Sequence, residues 1–288
     1  MPFMQALRCA IPVAALLVLL PSAASAAPVC NTGAVTINKI EQSPLDGQGV
    51  IYAGNQNATL CVGPIGGNDS GNLQPKNGNI GRLNDGLLNG QGGVLSPTWF
   101  NNAATPSPLL DLDKDGVATD PGWIYLGKGT PGGAPFEAYT QPLDLASILN
   151  IEFACTVSDK GKKDCSKGSW SLATSLDIID IVQDLLGRNA FDHLAFVLKA
   201  GNNYAIYDFD FNMLSAGLPG FNYSTPYAFT GTWNTGDLGN KDISHISVWA
   251  RDPVPQASTT PNEVPEPGMA LLVGLGLAGA AAARRRRA

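Results

Sequence analysis

Residues 194–209 read Leu-Ala-Phe-Val-Leu-Lys-Ala-Gly-Asn-Asn-Tyr-Ala-Ile-Tyr-Asp-Phe. Two apolar, aromatic-rich runs flank Gly201-Asn202-Asn203, the residue types that a tight turn between antiparallel strands demands. Phe196 and Leu198 precede the turn, and Tyr207 and Phe209 follow it. Each pair is two residues apart, hence on one face of its strand. The same pattern spreads outward. Trp123-Ile124-Tyr125-Leu126 is a short strand bounded by glycines. Ile151, Phe153, Cys155 and Val157 alternate with more polar residues, and Trp170 and Leu172 open a return strand after a Lys160–Lys163 loop. Ile243–Trp249 makes a last strand with Ile246 and Val248 on one face. Upstream, Val35–Ile40 and Thr59–Val62 can form strands, with Asp46-Gly47 as a turn signal between them. Asp69–Gly93, rich in Gly and Asn, reads as long, loosely organised surface loops. The pattern predicts a mainly β chain, an antiparallel β-sandwich or jelly roll.

One helix is expected. Leu176, Ile179, Val182 and Leu186 recur at three- and four-residue spacing, with Ser175 placed to cap the start and Gly187 the end. Ile178 and Ile181 also fit a strand.

The first residues read as a secretory signal peptide over 1–26. Arg8 supplies the charge, Ile11–Leu20 the apolar stretch, and Ala24-Ser25-Ala26 the small-residue cleavage site. At the other end stand Val264-Pro265-Glu266-Pro267-Gly268, an uncharged run Met269–Ala283, and Arg284, Arg285, Arg286 and Arg287. The two prolines hold Glu266 on a stiff, extended peptide. The uncharged run is fifteen residues. As a helix it would span about 22 Å at about 1.5 Å per residue, short of a hydrocarbon core of about 30 Å. Snorkelling arginines and local thinning close that gap, and the arginines keep the C-terminus cytoplasmic.

An ordinary tail anchor would look similar. The order of motif, short span and basic stop resembles the PEP-CTERM signal of Gram-negative exopolysaccharide producers, which an exosortase reads. The resemblance implies cleavage near the motif, transient residence in the inner membrane, and a destination at the cell surface or in the extracellular matrix, among exopolysaccharide or biofilm. Short pieces inside the chain, Trp123–Lys128, Gly168–Leu172, Leu194–Gly201, Gly231–Trp233 and Asp242–Trp249, look like the β-rich ectodomain of such proteins. No catalytic residue comes with that resemblance. The expected organisation is a signal peptide over 1–26, an ectodomain over 27–255, a Ser/Thr/Pro linker over 256–263 and a sorting tail over 264–288.

The whole chain has a formal charge of −6. Loss of Arg8 and the four terminal arginines leaves 13 of the 18 basic residues against 24 acidic ones, a charge of −11. Such a surface repels nucleic acid, which is excluded as a partner. Loss of Cys9 leaves Cys30, Cys61, Cys155 and Cys165. An even count in an exported chain reads as two disulfides. Three pairings exist, and the local one, Cys30–Cys61 with Cys155–Cys165, is the one expected. No Cys-x-x-Cys occurs, which argues against redox catalysis and a zinc knuckle.

The chemistry-bearing motifs are few. Asp111-Leu112-Asp113-Lys114-Asp115-Gly116 matches the front half of an EF-hand loop, with carboxylates at positions one, three and five and glycine at six. Gly122 stands where the bidentate glutamate belongs, and Asp120 could substitute from a shorter loop. Calcium binding and a plain solvated turn both fit these residues. Gly122–Lys128 and Gly127–Gly132 mimic phosphate-binding glycine motifs, but Gly129 replaces the needed Ser or Thr, and Pro131 and Pro135 forbid the helix. Asp208 and Asp210 share a strand face and are read as an exposed structural pair beside Tyr204, with a weak calcium or sugar contact as the next reading and a glycosidase pair as the remote alternative. His245 is read as a half-buried packing residue. Trp99, Phe100, Phe221, Tyr223 and Tyr227 are loop aromatics that either anchor loops or stack on sugars. No Gly-x-Ser-x-Gly and no His-Glu-x-x-His occurs. The function expected is a non-enzymatic structural or adhesive protein of the exported polymer matrix; a carbohydrate-binding module is the alternative.

Overall fold

A computed structural model describes residues 30–43, 49–69, 79–93, 95–96, 109–139, 144–157, 160–186 and 191–251. The segments expected to be signal peptide, linker and sorting tail, with Val264–Pro267 and Arg284–Arg287, and also Asp46-Gly47, Trp99-Phe100 and Gly187, lie outside the described residues. In chain order the strands are β1 (Val35–Gln42), β2 (Val50–Asn57), β3 (Leu60–Gly66), β4 (Trp123–Gly129), β5 (Glu137–Ala138), β6 (Leu149–Val157) and β7 (Lys163–Thr174). Then come helix α1 (Ile178–Leu186), β8 (His193–Ala200), β9 (Asn203–Asp210), the one-turn α2 (Phe211–Leu214), β10 (Tyr227–Asn234) and β11 (Ile243–Arg251). The expected mainly β, two-sheet antiparallel architecture is what the described residues adopt, with α1 the expected short helix and α2 a single added turn.

The β8–β9 hairpin is the centre of the second sheet. Ala200 pairs with Asn203, so the turn is only Gly201-Asn202, with Gly201 at φ 56. Glycine at the first turn position matches the right-handed twist of the two strands. Strand β9 pairs with β3 on its outer side, and β8 pairs with β11, giving the order β3-β9-β8-β11-β4-β5. The other sheet runs β2-β1-β10-β7-β6. All pairs are antiparallel.

The inward faces meet as alternation dictates. Val35, Ile37, Trp170, Leu172 and Trp233 of the first sheet face Phe196, Leu198, Tyr207, Ile246 and Val248 of the second in one buried cluster. Trp170 and Phe196 stand 4.6 Å apart between ring centres. Each large aromatic removes roughly 150–250 Å² from water, worth about 4–6 kcal/mol before ordering costs. Gly231 makes room for Trp170: a Cβ there would lie 2.5 Å from the indole nitrogen. That nitrogen donates to Thr36 O at 3.1 Å.

The second sheet is covered on its outer face as well. Leu87, Leu88 and Leu95 pack there on Trp123, Ala195, Val197, Tyr204, Ile206 and Trp249. The described part of Asp69–Gly93 is therefore not a set of loose surface loops: Asp85 and Asn89 are fully buried. Its asparagines do the work of a strand. Asn89 Oδ1 accepts from Trp123 N at 3.0 Å while Nδ2 donates to Trp123 O at 2.7 Å. Asn79 treats Tyr125 in the same way, at 2.9 and 3.0 Å. A carboxamide carries one acceptor and a donor group, so it can stand in for a neighbouring peptide along the part of β4 that β5 does not reach.

Three further readings change. Strand β2 is a strand the sequence reading did not place. Helix α1 begins at Ile178 and buries Ile178 and Val182, whereas Leu176 is 69% exposed. Ser175 does not cap through its hydroxyl; its N–H donates to Ile148 O, and its carbonyl accepts from Ile178 N. Strand β7 thus holds the chain through Ser175 and delays the helix. Lastly, Cys30 is bonded to Cys61 and Cys155 to Cys165, the local pairing. The first bond joins the residue ahead of β1 to β3, so it ties one sheet to the other.

Candidate functional site

The acidic turn follows a single antiparallel bridge, Leu110 to Asp120. Within it Asp111 accepts from Gly116 N at 3.1 Å, Asp113 from Asp115 N at 3.3 Å, and Asp115 from Val117 N at 2.8 Å. Lys114 takes φ 62, which turns the chain tightly. As a result one oxygen from each of Asp111, Asp113 and Asp115 lies within 4.8 Å of the others, all exposed. Asp120 stands apart from that group. It is buried, and its carboxylate accepts from Leu83 N at 2.8 Å and Leu112 N at 2.7 Å. It closes the base of the turn and anchors the segment that carries Leu87 and Leu88.

A second cluster lies at the far end of the hairpin. Asp208 and Asp210 are not on an exposed edge: both are buried, as is Tyr204. The reason is that β3 covers β9, and the chain after Phe191 folds over its end. His193 Nδ1 meets Asp208 at 2.9 Å, and its Nε2 stands 3.9 Å from both Asp192 and Asp210. Asp192 also receives Arg251 Nη1 at 3.4 Å and Asn212 Nδ2 at 3.3 Å. Asp210 caps α2 by accepting from Asn212 N at 2.9 Å. Burial alone would push the His193 pKa down, but Asp208, Asp192 and Asp210 outweigh it and hold the imidazole above its ordinary value. Burial raises Asp192, although His193 and Arg251 oppose the shift. Every carboxylate here is committed to neighbours inside the fold.

The loop aromatics pack on one another. Phe221 stacks between Phe211 at 5.5 Å and Tyr227 at 4.9 Å, and Tyr223 meets it edge-on at 5.4 Å. Tyr227 begins β10 and is buried. These rings anchor the 211–227 segment.

His245 is half-buried as expected, but it is also paired: its Nε2 lies 2.7 Å from Asp69. Sequence reading missed Asp69, which is far away in the chain and borders no motif. The pseudo-phosphate motif Gly122–Lys128 is strand β4, as its Trp-Ile-Tyr-Leu centre requires.

The functional determinant with an outside match is the tail. Residues 263–287 match the family description "PEP-CTERM protein-sorting motif". The chain carries a PEP-CTERM sorting tail. The match begins one residue before Val264 and ends on Arg287, so it spans the Val-Pro-Glu-Pro motif, the apolar run and the basic stop together. The PEP-CTERM tail marks an exported protein of Gram-negative bacteria that an exosortase sorts. No match was found among curated proteins or among solved structures. Among the described residues no helix is long and apolar enough to cross a membrane.

Proposed function

We propose that the ectodomain is a non-enzymatic structural or adhesive component of the extracellular polymer matrix, released there by exosortase processing of its tail. The observation that supports this most is the commitment of its best acid–base groups. The His193, Asp192, Asp208 and Asp210 cluster is buried and internally hydrogen-bonded, which suits a locked scaffold. The test is retention. Cells producing the full chain should hold the protein in the exopolysaccharide fraction, and a chain ending at residue 263 should lose that placement. Equal partition of both forms into the free medium would sink the reading.

A second reading, a carbohydrate-binding module, draws on the outer face of the β2-β1-β10-β7-β6 sheet. Unlike the other sheet, this face is polar. Asn38, Glu152, Ser169, Ser171, Thr230 and Thr232 line an open cleft of about 470 Å³ there. Thr36 and Thr232 hydroxyls meet at 2.8 Å across the strands. Rows of hydroxyls and amides suit the hydroxyl groups of a polysaccharide. Calcium belongs to the proposal too: Asp111, Asp113 and Asp115 supply three hard oxygen donors on one turn.

A further inference from the structure

Lys199 lies on β8 beside the hairpin turn and is only 7% exposed. Its Nζ donates to Gly201 O. An ammonium has three donors, and among the described residues no carboxylate pairs with this one. A buried charge without a counter-ion is costly, and such charges are normally paired. Yet Lys199 is not sealed in. It lines an open cleft of about 400 Å³ with Asn68, Asn202, Ser244 and His245.

The charged groups around the cleft leave Lys199 without a counter-ion among the described residues. The Lys241 side chain lies over Gly201, with Nζ 3.2 Å from where a Cβ would stand. Of the nearby acids, Asp69 is taken by His245 at 2.7 Å. Asp242 is exposed beside Lys241. Burial pushes Tyr125 and Tyr204 up to about 12, with the Ser247 hydrogen bond opposing at Tyr125 and Asp69 adding to both, so they stay neutral. Asp69 lies against His245 and Asp242 stands in solvent, so neither carboxylate is paired with the buried Lys199. Lys199 offers one compact positive charge, which one carboxylate neutralises. The amides of Asn68 and Asn202 and the hydroxyl of Ser244 supply donors and acceptors for neighbouring hydroxyl groups. With Nε2 engaged by Asp69, Nδ1 is the His245 nitrogen left for a ligand.

We propose that this cleft binds the carboxylate of an acidic sugar residue, with Lys199 as its counter-ion. The inference adds a sugar site apart from the cleft on the other sheet, and rests on the matrix setting only for the source of that sugar. The experiment uses the exported, processed protein and a galacturonate trimer, titrated calorimetrically at low and high salt. Neutral dextran, sulfate and phosphate are the comparison probes. Binding of the trimer that weakens with salt, with none to dextran, is expected. Lys199→Met keeps the volume and removes the charge. It should weaken binding by more than about thirtyfold, the scale for breaking a buried charge pair. Its melting temperature should hold or rise, because an uncompensated buried charge is gone.

No binding by the wild type overturns the site. So does undiminished binding by Lys199→Met. Equal affinity for sulfate or phosphate overturns the sugar assignment. Should Lys199→Met not fold, Asn202→Ala in the turn carries the same test: weaker trimer binding supports the site, and unchanged binding overturns it. Matrix retention is measured separately. Intact retention without trimer binding removes this site and leaves the matrix reading; trimer binding without retention does the reverse.

Discussion

His193 shows how one buried residue can set the pH response of the fold. Its pKa is held above the ordinary value by three carboxylates despite its burial. A group whose folded pKa is raised contributes stability that is complete below the unfolded value, about 6.5. That contribution is lost as pH rises through the folded pKa. The raised Asp192 acts in the same direction. Denaturant midpoints of the wild type should therefore fall as pH climbs above neutrality, and His193→Gln should lack that decline. A wild-type midpoint that is flat over this range would refute the assignment. Asp208→Asn leaves the imidazolium without its nearest partner and should destabilise by about 3–5 kcal/mol at neutral pH, read from the same curves. Period-two spacing put Asp208 and Asp210 on one strand face, which is right. It could not say that β3 and the chain around Asp192 bury that face, because those partners come from remote segments.

Elements with a strong internal rhythm were legible. The β8–β9 hairpin, β4, β6 and β11 stand where alternation puts them. The segment from Asn79 to Leu95 was not, since its order comes from side-chain amides and not from periodicity. Asn89→Ala tests that account. It removes the Asn89 carboxamide from the buried Trp123 N–H and C=O, which should cost about 2–3 kcal/mol. Amide exchange at Trp123 should quicken more than at β8, and uniform exchange across the sheet would contradict it. The acidic turn is the other element with a direct test. Three exposed carboxylates within 4.8 Å repel one another until a cation intervenes. With no glutamate at the twelfth position, a dissociation constant of about 10⁻⁴ to 10⁻³ M is expected. Calcium at about one hundred times that value should stabilise by roughly 2.7 kcal/mol. A melting temperature indifferent to calcium and chelator alike, or equally shifted in Asp113→Ala, would show a turn and nothing more. The calcium pattern was legible for Asp111, Asp113 and Asp115 because it is local. Asp120 lies beyond that pattern, drawn off by the N–H groups of Leu83 and Leu112.

For the molecule as a whole, the tail decides where the ectodomain works. Its match over residues 263–287 predicts proteolytic release. Intact-mass measurement of the exported protein should show loss of Arg284–Arg287, and a mature chain that keeps them would overturn exosortase processing. The point at which the chain leaves the fold has a mechanical consequence. Strand β11 is interior to its sheet, with β8 on one side and β4 on the other. Its last residue, Arg251, is fastened by Nε to Pro121 O at 3.0 Å and by Nη1 to Asp192. Tension carried along residues 252–263 therefore enters at a clamped end and is shared by two ladders strained along the strand axis. An edge strand would load a single ladder; this one loads the ladders to both neighbours at once. While the tail is uncut, a pull from that end is thus spread across the sheet.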